Sequence, residues 1–279
     1  RPRAVLAMGG FTSAAPILVG RKMGAATLLH ESNAVPGRAN RLLSRWADEV
    51  LVGMAPAAER FGKNHVEVTG TPVRDDFRGL DQRACREQLG LPRDQAMVLV
   101  IGGSQGARGV NRLVTAASPK WRKVSLLHIC GATDEAEVRA AYAGVANEVR
   151  VHAFLKDMPQ ALGAATLAVS RAGASSIAEL AAARVPSVFI PLPNSADDHQ
   201  RANAAAVVAA GGGKVLEQHV TSSGELARVV EGLLQDDPAR QKWPKAWRPW
   251  IGQNPRRRLP TEFCVDCEEG RMDRWSATA

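Results

Sequence analysis

The stretch Val98–Val114, VLVIGGSQGARGVNRLV, decides the fold class. Val98–Ile101 is a short aliphatic run of the kind found in strands buried on both faces. It stops at Gly102 and Gly103, passes Gly106, and gives way to apolar residues at helical spacing, Val110, Leu113 and Val114. A strand that turns through glycines into a helix opens a doubly wound α/β unit. The glycines let the backbone approach a ligand, and the free N–H groups and positive dipole end of the helix favour an anion. The turn fits neither G-x-G-x-x-G nor the lysine-bearing phosphate loop, so neither a dinucleotide nor ATP is favoured. A diphosphate held without lysine fits, with the Ser104 hydroxyl as a further donor. The competing reading is a tight turn that holds nothing.

Outward from this stretch the same pattern repeats. Strands are expected at Ala4–Met8, Ala26–Leu29, Glu49–Val52, Val66–Val68, Met97–Ile101, Ser125–Ile129, Glu148–Val151, Leu167–Ser170 and Ser187–Ile190. Helices are expected at Ser13–Lys22, from Pro36 through Leu42 and Trp46, and at Leu80–Leu91, Asp134–Tyr142, Met158–Ala164, Ser176–Ala183 and Gln200–Ala210. Strands alternating with helices predict parallel sheets covered on both faces, with ligands at the carboxyl ends of the strands. The polar clusters fall at those ends: His30–Asn33, Arg74, Ser104–Arg108, Arg171–Ser176 and Asn194–Gln200. The expected division is an N-terminal domain over 1–78, a second over 79–240, and a poorly ordered tail over 241–279. The chain opens on Arg1 and enters a strand at once, so its start reads as the interior of a longer protein.

Composition narrows the function classes. The 279 residues, 45% hydrophobic and 23% charged, suit roughly two globular domains. No apolar run approaches the ~18 residues of a membrane span. Lys and Arg exceed Asp and Glu by 14 − 10 = +4 over residues 1–94, by 14 − 13 = +1 over 95–241 and by 8 − 5 = +3 over 242–279. This excess suits an anionic lipid surface or a phosphorylated substrate. Nucleic acid is disfavoured, with a single tyrosine and no dense basic run before Arg256–Arg258. Cys85, Cys130, Cys264 and Cys267 are too scattered for a disulfide framework, and the Cys264–Cys267 spacing lacks the second pair that tetrahedral zinc needs.

Each remaining motif admits two readings. In SRAGASSIAELAAARVPSVFIP, Arg171 can neutralise a phosphate, Ser175 or Ser176 can cap the helix, and Glu179 can accept ribose hydroxyls or be a solvated carboxylate. In PNSADDHQRANA, Asp197 to Asn203 offer hydrogen-bonding groups suited to a sugar, or form a plain polar loop. In LLHESNAVPGRANR, Glu31 is a general base if burial raises its pKa, or it bonds backbone at a helix entry.

Together LHESNAVPGRANR, VTGTPVR, IGGSQGARGVN, SRAGASSIAEL and DDHQRANA resemble the family of bacterial glycosyltransferases that make lipid II, from about Val5 to Gly232. The resemblance implies an α/β fold of the GT-B arrangement, two Rossmann-like doubly wound domains, the N-terminal one incomplete here. It implies transfer of N-acetylglucosamine from UDP-N-acetylglucosamine to the C4 hydroxyl of the muramoyl sugar of lipid I, with inversion. Gly103 and Ser104 would meet the diphosphate with Arg74 nearby, and Leu155 would read uracil through its backbone. Ala174, Ser175, Ser176, Ile177, Ala178 and Glu179 would hold the nucleotide, Glu179 on the ribose. His199, where some members have glutamine, and Gln200 would contact the sugar, with Asn203 beside them and Asn33 reaching in from the N-terminal side. No metal or other cofactor is implied, because a helix dipole with Arg171 or Arg74 can meet the diphosphate charge.

Two departures stand out. A family glycine-rich loop bearing a histidine, a rival to Glu31 as base, should lie ahead of Arg1. The tail from Gln241 lacks the family's closing helices, and it reads as out of frame or a foreign junction. The other two reading frames of the encoding DNA test this: no family-like helical ending in either discards it. The other readings are a non-catalytic UDP-sugar-binding remnant and a related lipid glycosyltransferase. The place of action implied is the cytoplasmic face of the cell membrane, bound peripherally.

Overall fold

The structure is a computed structural model, and it describes residues 2–62, 65–102, 107–145, 147–193, 195–236, 238, 240, 242 and 243. Gly103, Ser104 and Gly106 of the opening turn lie outside the described residues, as do Arg256–Arg258, Cys264, Cys267 and the rest of the tail from 244. The chain falls into two compact units. Among the described residues the first takes those up to Ser32 and Pro36–Pro72, and the second takes Asn33–Val35 and those from Val73 on. The division precedes the boundary at 78 expected from sequence because Phe77, 2% exposed, is buried with the turn Asp75–Phe77 against a helix of the second unit.

In the first unit β1 (Ala4–Ala7), β2 (Ala26–Glu31), β3 (Glu49–Val52) and β4 (Val66–Val68) form a parallel sheet in the order β1-β2-β3-β4. The helices are α1 (Ala14–Lys22), α2 (Arg38–Leu43) and the short α3 (Ala55–Ala58). Ile17 of α1 packs with Ala7, Leu29 and Leu43, while Phe61 and Ala57 pack on Val50 and Val52. Pro36 lies ahead of α2, whose N-cap is Gly37, and so orients the entry to the helix without being part of it.

In the second unit the strands are β5 (Ala96–Ile101), β6 (Val124–Ile129), β7 (Val149–His152), β8 (Leu167–Ser170), β9 (Ser187–Phe189) and β10 (Gly213–Val215). They are parallel, in the order β10-β9-β8-β5-β6-β7. The helices are α4 (Gln82–Gln88), α5 (Arg108–Ala117), α6 (Glu135–Ala141), α7 (Met158–Ala164), α8 (Ala174–Ala182), α9 (His199–Ala209) and α10 (Ser223–Gln235). Val98, Leu99 and Val100 are wholly buried because helices cover both faces of the sheet. Leu126, Leu127 and Leu167 are equally enclosed, and each such side chain stabilises the fold by about 2 kcal/mol. The strand order reverses between β5 and β8, and in sheets of this kind that crevice receives ligands. β10 and α10 extend the fold beyond the sequence expectation. Ser222 caps α10, its Oγ accepting from the Glu225 N–H at 3.1 Å.

Candidate functional site

The second unit brings most of the predicted residues to the carboxyl edge of its sheet. At the end of β8 the Arg171 N–H still donates to the Ile101 carbonyl at 3.2 Å, so β5 and β8 stay paired up to the crevice. Gly173 is extended, α8 begins at Ala174, and no side chain caps it. Ser175 and Ser176 therefore lie inside the first turn, not at the N-cap expected of them. The free N–H groups and the positive dipole end of α8 follow directly on the carboxyl end of β8. Ile177 and Ala178 face the core, while Glu179 is half-buried on the next turn.

The Glu179 carboxyl has no hydrogen-bond partner among the described residues, and burial pushes its pKa above the ordinary value. The charge of Arg74 opposes that rise and Asp76 adds to it. Arg74 itself is exposed, its guanidinium 5.1 Å over the Phe77 ring and 3.5 Å from Asp76. The structure thus sets the residue expected at the diphosphate in the field of the residue expected at the ribose. Leu155 sits on the same edge, in the loop between β7 and α7.

Two predicted site residues are engaged elsewhere. Arg171 is buried, and its Nη1 donates to the carbonyls of Ile190 and Pro191, both at 2.9 Å. Its Nη2 donates to Gln218 Oε1 at 2.7 Å. Burial lowers its pKa to about 10, and no carboxylate is among its partners in the described residues. The expected direct hold on a phosphate gives way to a clamp on the end of β9, because those carbonyls have lost their strand partners and need a donor. Asn203 is completely buried: Oδ1 accepts from the Ala34 N–H at 2.8 Å, and Nδ2 donates to the Ala172 carbonyl and to Asn33 Oδ1, each at 3.1 Å. It fastens Asn33 and Ala34 to the β8–α8 turn, and its amide is fully engaged there.

His199 and Gln200 open α9. The preceding Asp197 and Asp198 are left-handed, with φ of 50° and 53°, a conformation that costs of order 1 kcal/mol each outside glycine. Gln200 Oε1 accepts from the Leu192 N–H at 2.9 Å, closing the loop between β9 and α9. His199 Nδ1 is buried and has no partner among the described residues.

The start of α5 is held by residues that sequence reading missed. Asn111 Nδ2 donates to the Cys130 carbonyl at 3.0 Å and to Asp134 Oδ2 at 2.9 Å. Its Oδ1 lies 3.0 Å from His128 Nε2, and His128 Nδ1 lies 2.8 Å from the Tyr142 hydroxyl. Asn111 Oδ1 can only accept, so Nε2 carries a proton, while the Tyr142 hydroxyl can donate to Nδ1 of a neutral ring. Burial agrees, lowering the His128 pKa to about 4 and raising that of Tyr142. On its other side Gly109 faces Gln218, where a Cβ would come within 2.5 Å of the amide, so only glycine allows this approach. The one sequence signal was a polar Asn111 between apolar Val110 and Val114.

In the first unit, Glu31 is 3% exposed and its Oε2 accepts from Asn40 Nδ2 at 2.7 Å and from the Gly37 N–H at 3.1 Å. These contacts favour the helix-entry reading over the general base. His30 bridges the Gly70 carbonyl (3.1 Å) and Ser32 Oγ (3.3 Å), and desolvation lowers its pKa. Gly9, at φ +98°, leaves room for Asn40, whose amide would lie 2.9 Å from a Cβ there.

The model of the Glycosyltransferase family 28 C-terminal domain matches residues 97–248, and that of the Glycosyltransferase family 28 N-terminal domain matches residues 1–52. The UDP-N-acetylglucosamine--N-acetylmuramyl-(pentapeptide) pyrophosphoryl-undecaprenol N-acetylglucosamine transferase of Synechococcus sp. (strain RCC307) is 40% identical over 232 residues, 82% of this chain and 62% of that protein. Its counterpart in Listeria monocytogenes serovar 1/2a is 35% identical over 241 residues, 85% of this chain and 66% of that protein. The chain therefore spans less than two thirds of the length of these relatives. The crystal structure of Acinetobacter baumannii MurG superposes with a TM-score of 0.74 at 29% identity, covering 90% of this chain and 71% of that one. The S. aureus MnaA–UDP structure has a TM-score of 0.65 at 16% identity, covering 91% and 71%, a likeness of fold.

Proposed function

The chain belongs to glycosyltransferase family 28, and from that premise we propose that it transfers N-acetylglucosamine from UDP-N-acetylglucosamine to lipid I, making lipid II. The C4 hydroxyl of the muramoyl sugar attacks C1 of N-acetylglucosamine. The bond from C1 to the diphosphate oxygen breaks on the opposite face, UDP departs, and the hydroxyl proton passes to a base. The transition state has oxocarbenium character. The charge growing on the diphosphate meets the N–H groups at the start of α5, an effect commonly worth a few kcal/mol per donor. Gly103 and Ser104 belong to that turn in this reading. Ala174–Glu179 hold the nucleotide, and His199 and Gln200 meet the sugar.

The observation that carries the reading is Glu179. A half-buried carboxylate without a hydrogen-bond partner among the described residues stands beside an uncapped helix start at the point where strand order reverses. Paired ribose hydroxyls would satisfy it. The test is transfer from UDP-N-acetylglucosamine to a lipid I analogue, followed by UDP release and product mass. UDP binding without transfer would overturn the catalytic reading and leave a UDP-sugar-binding protein. Preference for another sugar in a donor panel would make it a related lipid glycosyltransferase.

Peripheral attachment to the cytoplasmic leaflet belongs to the same proposal. No helix among the described residues is long and apolar enough to cross a membrane. The first unit exposes Met8, Phe11, Leu18, Val19 and Met23, Phe11 to 82%, near the basic Arg21 and Lys22. Apolar side chains amid cations suit an anionic lipid surface. Co-sedimentation with phosphatidylglycerol vesicles that weakens with salt is expected; binding indifferent to lipid charge would overturn it.

A further inference from the structure

The loop after β10 reaches two helices at once. Glu217 makes a bidentate pair with Arg201 of α9, Nε to Oε1 at 3.0 Å and Nη2 to Oε2 at 2.9 Å. The next residue, Gln218, lies against Gly109 in the first turn of α5 and accepts from Arg171 Nη2 at 2.7 Å. Arg171 in turn holds the Ile190 and Pro191 carbonyls, from which the chain runs to Leu192 and so, through the Leu192 N–H, to Gln200 of α9. Two routes thus join the start of α5 to the start of α9, and both pass through Gln218. A fork-shaped cation and a bidentate carboxylate fix direction as well as distance.

We propose that Gln218, with Glu217 and Arg171, is a positioning residue that sets the separation between the phosphate-binding start of α5 and the sugar-reading start of α9. The proposal rests on the donor assignment above and goes further, naming what fixes the register between the two halves of the donor. Of these three helices UDP uses α5 and α8 but not α9, whereas a UDP-sugar uses all three. Loosening the spacer should therefore weaken the sugar nucleotide selectively.

The experiment is calorimetric titration of the full chain with UDP and with UDP-N-acetylglucosamine, in wild type, Gln218→Leu, Gly109→Ala and the double variant, with melting curves for each. Gln218→Leu removes the acceptor for Arg171, and Gly109→Ala drives the amide away from the same place. Each should weaken UDP-N-acetylglucosamine about tenfold while UDP changes less than about threefold, and the double variant should be no worse than either. An equal loss for both ligands, additive losses in the double variant, or an unchanged ratio in folded variants overturns the proposal. Failure of the wild-type chain to bind UDP overturns the donor assignment as well, whereas UDP binding with an unchanged ratio overturns the spacer alone.

Discussion

The carboxyl edges of the two sheets are built from the same materials and end in different states. In the first unit the buried polar groups satisfy one another: Glu31 takes the donors of Gly37 and Asn40, and His30 joins Gly70 to Ser32. Asn40 Oδ1 has no partner among the described residues. In the second unit Arg171 and Asn203 are engaged in the same way, but the Glu179 carboxyl and His199 Nδ1 have no hydrogen-bond partner among the described residues. Burial therefore does not mark the group available to a ligand; an unmatched carboxyl beside the reversal of strand order does. A group that is buried, polar and unmatched in the free protein is where a ligand gains most.

The hardest test of this contrast is Asn203→Ala. It should cost about 4 kcal/mol of unfolding free energy, since Ala34, Asn33 and Ala172 all lose a buried partner. UDP affinity of the folded fraction should stay unchanged; lost affinity at full stability would break the comparison. Next comes a pH effect from the buried network. His128 is neutral when folded, with its pKa lowered to about 4, so the unfolded chain binds the extra proton first. Stability should be full above the ordinary value of 6.5 and fall as pH drops toward 4, by up to about 3 kcal/mol in denaturant melts. His128→Gln should flatten that slope.

Glu179→Gln should weaken UDP by about thirtyfold, roughly 2 kcal/mol, with melting temperature unchanged or raised because a desolvated carboxylate is gone. In the unsubstituted chain UDP affinity should decline on acidification already above the ordinary carboxylate range, since the ionised form accepts the hydroxyls and its pKa is raised. Smallest is Glu31→Gln, about 1 kcal/mol of stability with transfer reduced less than threefold. A hundredfold loss of transfer with the fold intact would instead restore Glu31 as the general base.

These outcomes also mark how far the amino-acid sequence carried. Strands such as Glu49–Val52 and Leu167–Ser170 were legible to the residue, because a buried parallel strand is a short apolar run bounded by turn residues. The edge on which the site lies followed from the same alternation. The fate of Arg171 and Asn203 did not, since their partners Gln218 and Ala34 are far away along the chain and only folding brings them near. Asn111 was hidden for a related reason. A polar residue inside an apolar helix face signals a buried partner, but nothing local names His128 or Asp134. The start of α8 was misread because a serine cap is the commoner solution, and Gly173 ends the turn without one.

The pairing of Val98 with Leu167 has a consequence for how the protein is made. A ribosome completes β5 and the helix after it long before β8 emerges, so one wall of the crevice waits as nascent chain for the other. Closing such a distant pair is slow in itself. UDP supplied during synthesis or refolding should therefore leave the early phases untouched and act only once β8 has docked.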